Sequence, residues 1–285
     1  MMAEDLSRWI GKKETRYDTV ALSPAQRMLA TLNDMTTELS EGSPLPSLWH
    51  WLYFLSDAPM STIGPDGHPK RGGFLPPIEL PYRMFAGARF IFHSPLLIGK
   101  KARCESKILS IDHKEGRNGP LIFVNISHEI FQGKNLCMEE QCDLVYLSAR
   151  APYKPASSKG KQPELNPRAI IQTITPDPVL LFRFSALTFN SHRIHYDRPY
   201  AVSEEGYPNL VVHGPLVAVL LMELVRKHIE APVQALSFKG HAPLFEGAPF
   251  HLIAIPDDGR VVLRAEGPDG STATEAEALV NTNKA

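Results

Sequence analysis

The chain has 285 residues, with 30 Lys and Arg against 31 Asp and Glu for a formal net charge of −1, and 43% of it is hydrophobic. That balance lacks the basic footprint of a nucleic-acid-binding protein, and the longest apolar run, residues 214–222, falls short of the roughly 20 residues a membrane span needs. At roughly 150 residues per domain the length predicts two units, enough chain to fold without a disulfide or metal staple.

Residues 1–9 are acidic and carry no apolar core of a signal peptide and no Arg-rich transit pattern, so a cytoplasmic protein is expected. A first helix is predicted at 48–55, with Trp49, Trp51, Tyr53 and Phe54 as core residues. After a loop rich in Gly and Pro come strand-like segments at 89–93, 103–111, 121–131 and 136–147. Charged residues interrupt their apolar ones at near-period-2 spacing, the pattern of antiparallel strands with one wet face. Cys104, Cys137 and Cys142 are odd in number and fit neither a zinc pattern nor a disulfide framework, so they are read as small buried apolar residues. Residues 151–163, rich in Pro, Lys and Ser, read as a linker. The expected organisation is an N-terminal domain over 1–150, a linker over 151–165 and a C-terminal domain over 166–285.

In the second half Gly214 opens an apolar run over 216–229 that closes on Arg226, Lys227 and His228, cations suited to a helix C-terminus. Strand-like segments follow at 235–241, 250–255, 260–266 and 273–280. The halves also share wording: Ser94-Pro-Leu-Leu-Ile-Gly99 and Ala242-Pro-Leu-Phe-Glu-Gly247 lie 148 positions apart. One helix followed by four strands, twice, implies duplication of a unit in which a long helix lies against a curved antiparallel sheet. The two sheets are expected to pair edge to edge, an α+β architecture.

The densest polar cluster, residues 184–200, holds Asn190, His192, Arg193, His195, Asp197 and Arg198 between apolar flanks. One reading is a loop whose Asn190, Ser191 and Asp197 satisfy backbone groups, with His192 and His195 exposed. Another is a metal set, His192-x-x-His195-x-Asp197, but no second cluster completes it, so no metal and no cofactor is expected.

The cluster resembles the hydratase motif of the MaoC-like, hot dog-fold acyl-thioester dehydratases, G-D-x-N-P-[IL]-H-x-D, with matching residues from Phe189 to Asp197 followed by Tyr200-Ala201. The segment Val211-Val-His-Gly-Pro-Leu216 is similar to the stretch that opens the family's central helix, and Asp66-Gly-His-Pro-Lys-Arg-Gly-Gly and Arg83-Met-Phe-Ala-Gly87 are similar to the N-terminal half of its double hot dog branch. That branch contains type 2 hydroxyacyl-thioester dehydratases and mesaconyl-CoA and itaconyl-CoA hydratases. The resemblance implies a double hot dog fold and addition of water across, or its loss from, an acyl thioester. It implies that His195 is the catalytic imidazole and that the Gly214 backbone N–H is the oxyanion donor, a role suited to the free N–H groups of a helix start.

The family's catalytic Asp falls at Asn190, which takes no proton at neutral pH. Three readings follow. Asn190 orients the water while His195 does the proton transfer, which is preferred; or Asp197 replaces the carboxylate; or the site is weak and mainly binds thioesters. His213 either touches substrate or packs beside the helix start. Arg83, Arg89, Arg193 and Arg198 are candidates for CoA phosphates or a substrate carboxylate, with Arg193 and Arg83 preferred. The first half has no Asn/Asp-x4-His before its helix, so it is expected to shape the acyl pocket without chemistry of its own. The expected function is an acyl-CoA hydratase converting mesaconyl- or itaconyl-CoA to citramalyl-CoA, as in itaconate degradation, in a homodimer or higher homo-oligomer. The alternatives are a fatty-acid-type (R)-3-hydroxyacyl-thioester dehydratase and a non-catalytic thioester-binding partner subunit.

Overall fold

The computed structural model describes residues 5–116, 119–149 and 166–281. The first half contributes β1 (Lys13–Thr19), α1 (Leu22–Thr31), β2 (Tyr82–Phe92), β3 (Lys101–Gly116), β4 (Gly119–Gln132) and β5 (Asn135–Leu147). The second contributes β6 (Ile170–Ile174), α2 (Pro178–Leu187), α3 (Arg198–Ser203), α4 (Gly214–His228), β7 (Val233–Gly240), β8 (Phe250–Asp257), β9 (Arg260–Glu266) and β10 (Thr272–Val280). All ten strands form one sheet in the order β1-β3-β4-β5-β2-β7-β10-β9-β8-β6. Read outward from its middle, each half repeats the same strand order, so the sheet is two five-stranded units joined at β2 and β7. The linker predicted at 151–165 lies outside the described residues. Among those described, no helix is long and apolar enough to cross a membrane.

The duplication extends to individual hydrogen bonds. Leu45 N–H donates to Leu96 O at 2.7 Å, and Val212 N–H donates to Leu244 O at 2.8 Å. Gly99 N–H reaches Val20 O and Gly247 N–H reaches Pro176 O, both at 2.7–2.8 Å. These acceptors and donors belong to the two Pro-Leu-x-x-Gly turns. At the seam, β2 and β7 pair from Gly87↔Lys239 to Ile91↔Ala235. A Cβ at Gly87 would fall 2.4 Å from the Phe238 carbonyl oxygen, so only glycine lets the two backbones approach this closely. Phe90 stacks on Phe238 across the seam at 6.2 Å.

The central helix α4 buries every residue from Leu216 to Val225, and each large aliphatic side chain removed from water there contributes about 1.5–3 kcal/mol. Pro215 sits in its first turn, where a missing N–H costs nothing. The second-half prediction of a helix opening at Gly214 matches this element. The first-half prediction needs correction. Residues 48–55 form one 3-10 turn, Trp49–Leu52, bounded by Leu48 and Phe54 at φ 68° and 56°, left-handed backbone that no α-helix contains. The first half therefore has no long helix of its own against its sheet. Its turn instead packs on α4, where Trp49 Nε1 donates to Glu223 Oε1 at 3.1 Å. Arg226 ties the same carboxylate to buried Asp34, reaching Asp34 Oδ2 at 2.6 Å.

Edge strands β1 and β6 and helices α1 and α2 had no counterpart in the prediction. β1 reads Lys-Glu-Thr-Arg-Tyr-Asp-Thr and alternates exposed and half-buried residues. Such polarity is what protects a sheet edge from further pairing, and it hides the strand from an apolar pattern search. The three cysteines are free and buried.

Candidate active site

After α2 the chain turns at Phe189, which stands at the motif's glycine and adopts φ 49°. Asn190 N–H donates to Ser185 O at 2.8 Å, and its Oδ1 accepts from His192 N–H at 3.0 Å. This orients the amide nitrogen away from the backbone, in a residue that lines a cavity of about 460 Å³. A 3-10 turn, Arg193–His195, then carries His195 to the cavity wall. His195 Nδ1 lies 2.7 Å from the Val211 carbonyl oxygen. A carbonyl only accepts, so the proton of the neutral ring sits on Nδ1 and Nε2 is a free acceptor. Gly214, the first residue of α4, lines the same cavity, with the free N–H and positive dipole of a helix start.

Burial pushes the His195 imidazole down to about 4, against the hydrogen bond to Val211, which favours the charged form. His213 stacks on it, with ring centroids 3.7 Å apart, and its Nε2 lies 2.8 Å from Ser185 Oγ. His213 is also held well below its usual range by burial. The two buried rings thus form one stacked pair beside the start of α4.

The first half lines this cavity with residues of β2 and β5, Arg83 and Leu144 among them, and it meets the motif loop through one turn, residues 64–68. Arg193 N–H donates to Asp66 O at 2.9 Å, and Ser191 Oγ donates to Gly67 O at 2.5 Å. Gly67 has φ 90°, and a Cβ there would lie 1.8 Å from the Ser191 carbonyl oxygen. The turn is thus seated on the motif loop as closely as backbones allow. It delivers His68, which lines the cavity and whose ring lies 4.1 Å from that of His192. Asp66 Oδ2 lies 3.0 Å from His68 Nδ1, while Asp66 Oδ1 accepts from the His68 backbone N–H at 3.0 Å. Burial alone would raise the Asp66 carboxyl, but these two bonds outweigh it and hold it well below the usual range. Asp66, His68 and His192 offer ligand atoms within 4.8 Å of one another. Both oxygens of Asp66 are already engaged by His68, however, an arrangement that suits a carboxylate-backed imidazole better than a metal.

Of the arginines singled out by sequence, only Arg83 lines the cavity. Three corrections follow. Arg193 is committed to Asp197, with Nε and Nη2 at 2.9 and 2.8 Å from Oδ2, and it lies over the Tyr200 ring. Arg198 pairs with Asn209 and Glu246, and Arg89 with Asp143 on the exposed sheet face. Asp197 caps α3 and holds Arg193, and among the described residues the set that brings ligand atoms together is Asp66, His68 and His192, not His192, His195 and Asp197. His68 was assigned no role from sequence, and His192 was weighed only as a member of a metal set. The only sign of His68 was its presence in the Asp66-Gly-His segment, 124 positions before His192.

The first half also has a cavity, of about 690 Å³, lined by Ser47, Leu48 and Ser94–Leu96. By the repeated hydrogen bonds, Ser47 stands where Gly214 stands in the second half, but no Asn-x4-His precedes it. The chemistry-bearing groups gather at one of the two related positions.

The buried neutral histidines predict an acid-sensitive fold. An unfolded imidazole titrates near 6.5 and His195 in the fold near 4, so between those values the unfolded chain binds a proton that the folded one refuses. Stability is full above pH 6.5 and is lost as pH falls toward 4, by about 3 kcal/mol from this residue. Urea unfolding at pH 7.5 and pH 5 should show a smaller loss in His195→Gln than in wild type; equal losses would contradict the buried neutral ring.

Residues 48–246 match the family model of the type 2 hydroxyacyl-thioester dehydratases. The chain is 54% identical over 276 residues to a mesaconyl-C(4)-CoA hydratase of Chloroflexus aurantiacus, covering 97% of this chain and 98% of that one. Among solved structures it is similar to a MaoC-like dehydratase, with a TM-score of 0.71 at 14% identity over 97% of this chain and 99% of the other. It is also similar to a Mycobacterium tuberculosis protein with a double hot dog fold, with a TM-score of 0.57 at 14% identity over 95% and 96%. These likenesses identify the two-unit sheet as a double hot dog.

Proposed function

Because this chain belongs to the type 2 hydroxyacyl-thioester dehydratase family, we propose that it is an acyl-CoA hydratase whose substrate is mesaconyl-CoA acylated at C4, with citramalyl-CoA as product. In that substrate the double bond is conjugated to the thioester, and its β-carbon bears a methyl group and a free carboxylate. Water adds at the β-carbon, and the electron pair of the double bond moves toward the thioester oxygen. The Gly214 N–H is the donor for that developing charge, Asn190 holds the water, and His195 Nε2 accepts from it. In itaconyl-CoA acylated at C4 the double bond is one carbon further away, so an oxyanion donor gives its hydration no help.

The observation that carries the substrate reading is Arg83. It lines the same cavity as His195 and Gly214, and no carboxylate among the described residues pairs with it. A guanidinium there is matched by a planar carboxylate on the acyl chain. Hydration of mesaconyl-C4-, itaconyl- and crotonyl-CoA, measured side by side, tests this. The expected result is a kcat/KM at least ~30-fold higher for mesaconyl-C4-CoA than for crotonyl-CoA, the low end for leaving a desolvated charge unpaired. A preference for crotonyl-CoA would overturn the dicarboxylate reading in favour of a fatty-acyl one.

A further inference from the structure

Hydration needs a group that carries a whole proton from water to the α-carbon, and Asn190, the amide at the head of the motif loop, takes none. His195 is poorly provided for that load. Its Nδ1 faces a neutral carbonyl at 2.7 Å, and a neutral, buried His213 covers its ring at 3.7 Å. An imidazolium there would have no counter-charge in contact. His68, on the wall of the same cavity, differs in one respect: its Nδ1 is 3.0 Å from a carboxylate. Charge-assisted hydrogen bonds are roughly twice as strong as neutral ones, so a proton taken up by His68 creates an ion pair where one on His195 creates an isolated charge.

We infer that the Asp66–His68 pair, supplied by the first half, is the carboxylate-backed base of this cavity. The inference rests on the hydratase reading above and extends it. As the water oxygen bonds to the β-carbon, its O–H bond breaks and the proton passes to His68 Nε2, while the π electrons move into the enolate held at Gly214. The Nε2–H bond then breaks, the enolate electrons form the α-carbon–hydrogen bond, and His68 is neutral again. His195 Nε2 accepts the second hydrogen of the water and fixes its oxygen. Asp66 is a positioning residue, selecting the Nδ1–H tautomer so that Nε2 is the free nitrogen. The seating of Gly67 and Ser191 makes the pair part of the motif loop, although 122 residues separate Asp66 from the position 188 where that loop starts. The first half, without a motif of its own, thereby completes the reactive centre of the second.

The test uses the full chain and whichever acyl-CoA the wild type turns over, so a wrong substrate assignment leaves it intact. His68→Gln keeps a polar side chain but carries no proton; it should lower kcat by roughly 10²–10⁴-fold with KM within a few-fold and the melting temperature held. Adding Asn190→Asp to that variant supplies a second carboxylate to the cavity wall and should recover at least tenfold of the loss. Asp66→Asn gives a readout that a structural role would not move. The charges facing His68 are Asp66, which raises its affinity for a proton, and Arg83 and Arg71, which lower it, with neutral His192 against its ring. Removing Asp66 should move the acid limb of kcat/KM to lower pH and reduce kcat. His68→Gln retaining more than a tenth of wild-type kcat, or an acid limb unmoved in Asp66→Asn, would overturn the assignment; so would a wild type silent on every acyl-CoA, which would remove the hydratase reading with it.

Discussion

His195→Ala should lower kcat by about 10²–10⁴-fold, the range for a positioned acid/base group, while the protein still folds. His195 is buried, and its Nδ1 is held by Val211, so Nε2 points at a fixed place in the cavity. Ala removes the acceptor that fixes the water and leaves space in which water is disordered. The stack on His213 at 3.7 Å is lost as well, but α4 and the sheet beneath do not depend on it. Steady-state turnover with thermal unfolding decides the point. A variant with more than a tenth of wild-type kcat and an unchanged melting temperature would remove His195 from the chemistry. Replacement of Asn190 by Ala should cost less than this if, as proposed, its amide orients the water and takes no proton.

The second large effect concerns selectivity. Arg83→Met keeps the length and apolar stem of the side chain and removes its charge. If Arg83 pairs with the substrate carboxylate, activity on mesaconyl-C4-CoA should fall by 30- to several-thousand-fold, the equivalent of about 2–5 kcal/mol for one partner of a desolvated pair. Activity on crotonyl-CoA, which carries no such carboxylate, should change little. The ratio of the two kcat/KM values is the quantity to measure. Equal losses on both would assign Arg83 to the CoA phosphates or to its cross-strand neighbour Tyr146. The parallel change at Arg193 should leave the ratio unmoved, since its guanidinium is spent on Asp197 and Pro65 O.

Local pattern and motif spacing carry information that survives without knowledge of the fold, and here they carried a great deal. The apolar run after Gly214, with basic residues at its end, could only be buried as a helix, and it is α4. Strand β9 falls at the predicted residues because alternation over 260–266 leaves no other register. The repeated Pro-Leu-x-x-Gly turns announced two related units, and the Asn190–His195 spacing announced the imidazole beside a helix start. What sequence left open depends on contacts between distant segments. Residues 48–55 are aromatic and apolar, and nothing local excludes a helix there. It is the docking of Trp49 on Glu223, 174 positions away, that accompanies the single turn. The arginines looked alike as charges near a motif, and only the packing of two halves on one another separates Arg83 at the cavity from Arg193 tied to its own loop. His68 was invisible for the same reason. Its place beside the motif loop comes from Gly67 lying against Ser191 and Asp66 O accepting from Arg193, contacts between segments more than 120 positions apart. Sequence determined the central helix α4, the eight inner strands and the motif loop, because helix and strand periodicity and motif spacing are short-range properties of the chain. The tertiary structure decided which charged groups share the cavity, because that is set by long-range backbone approach that no local pattern encodes.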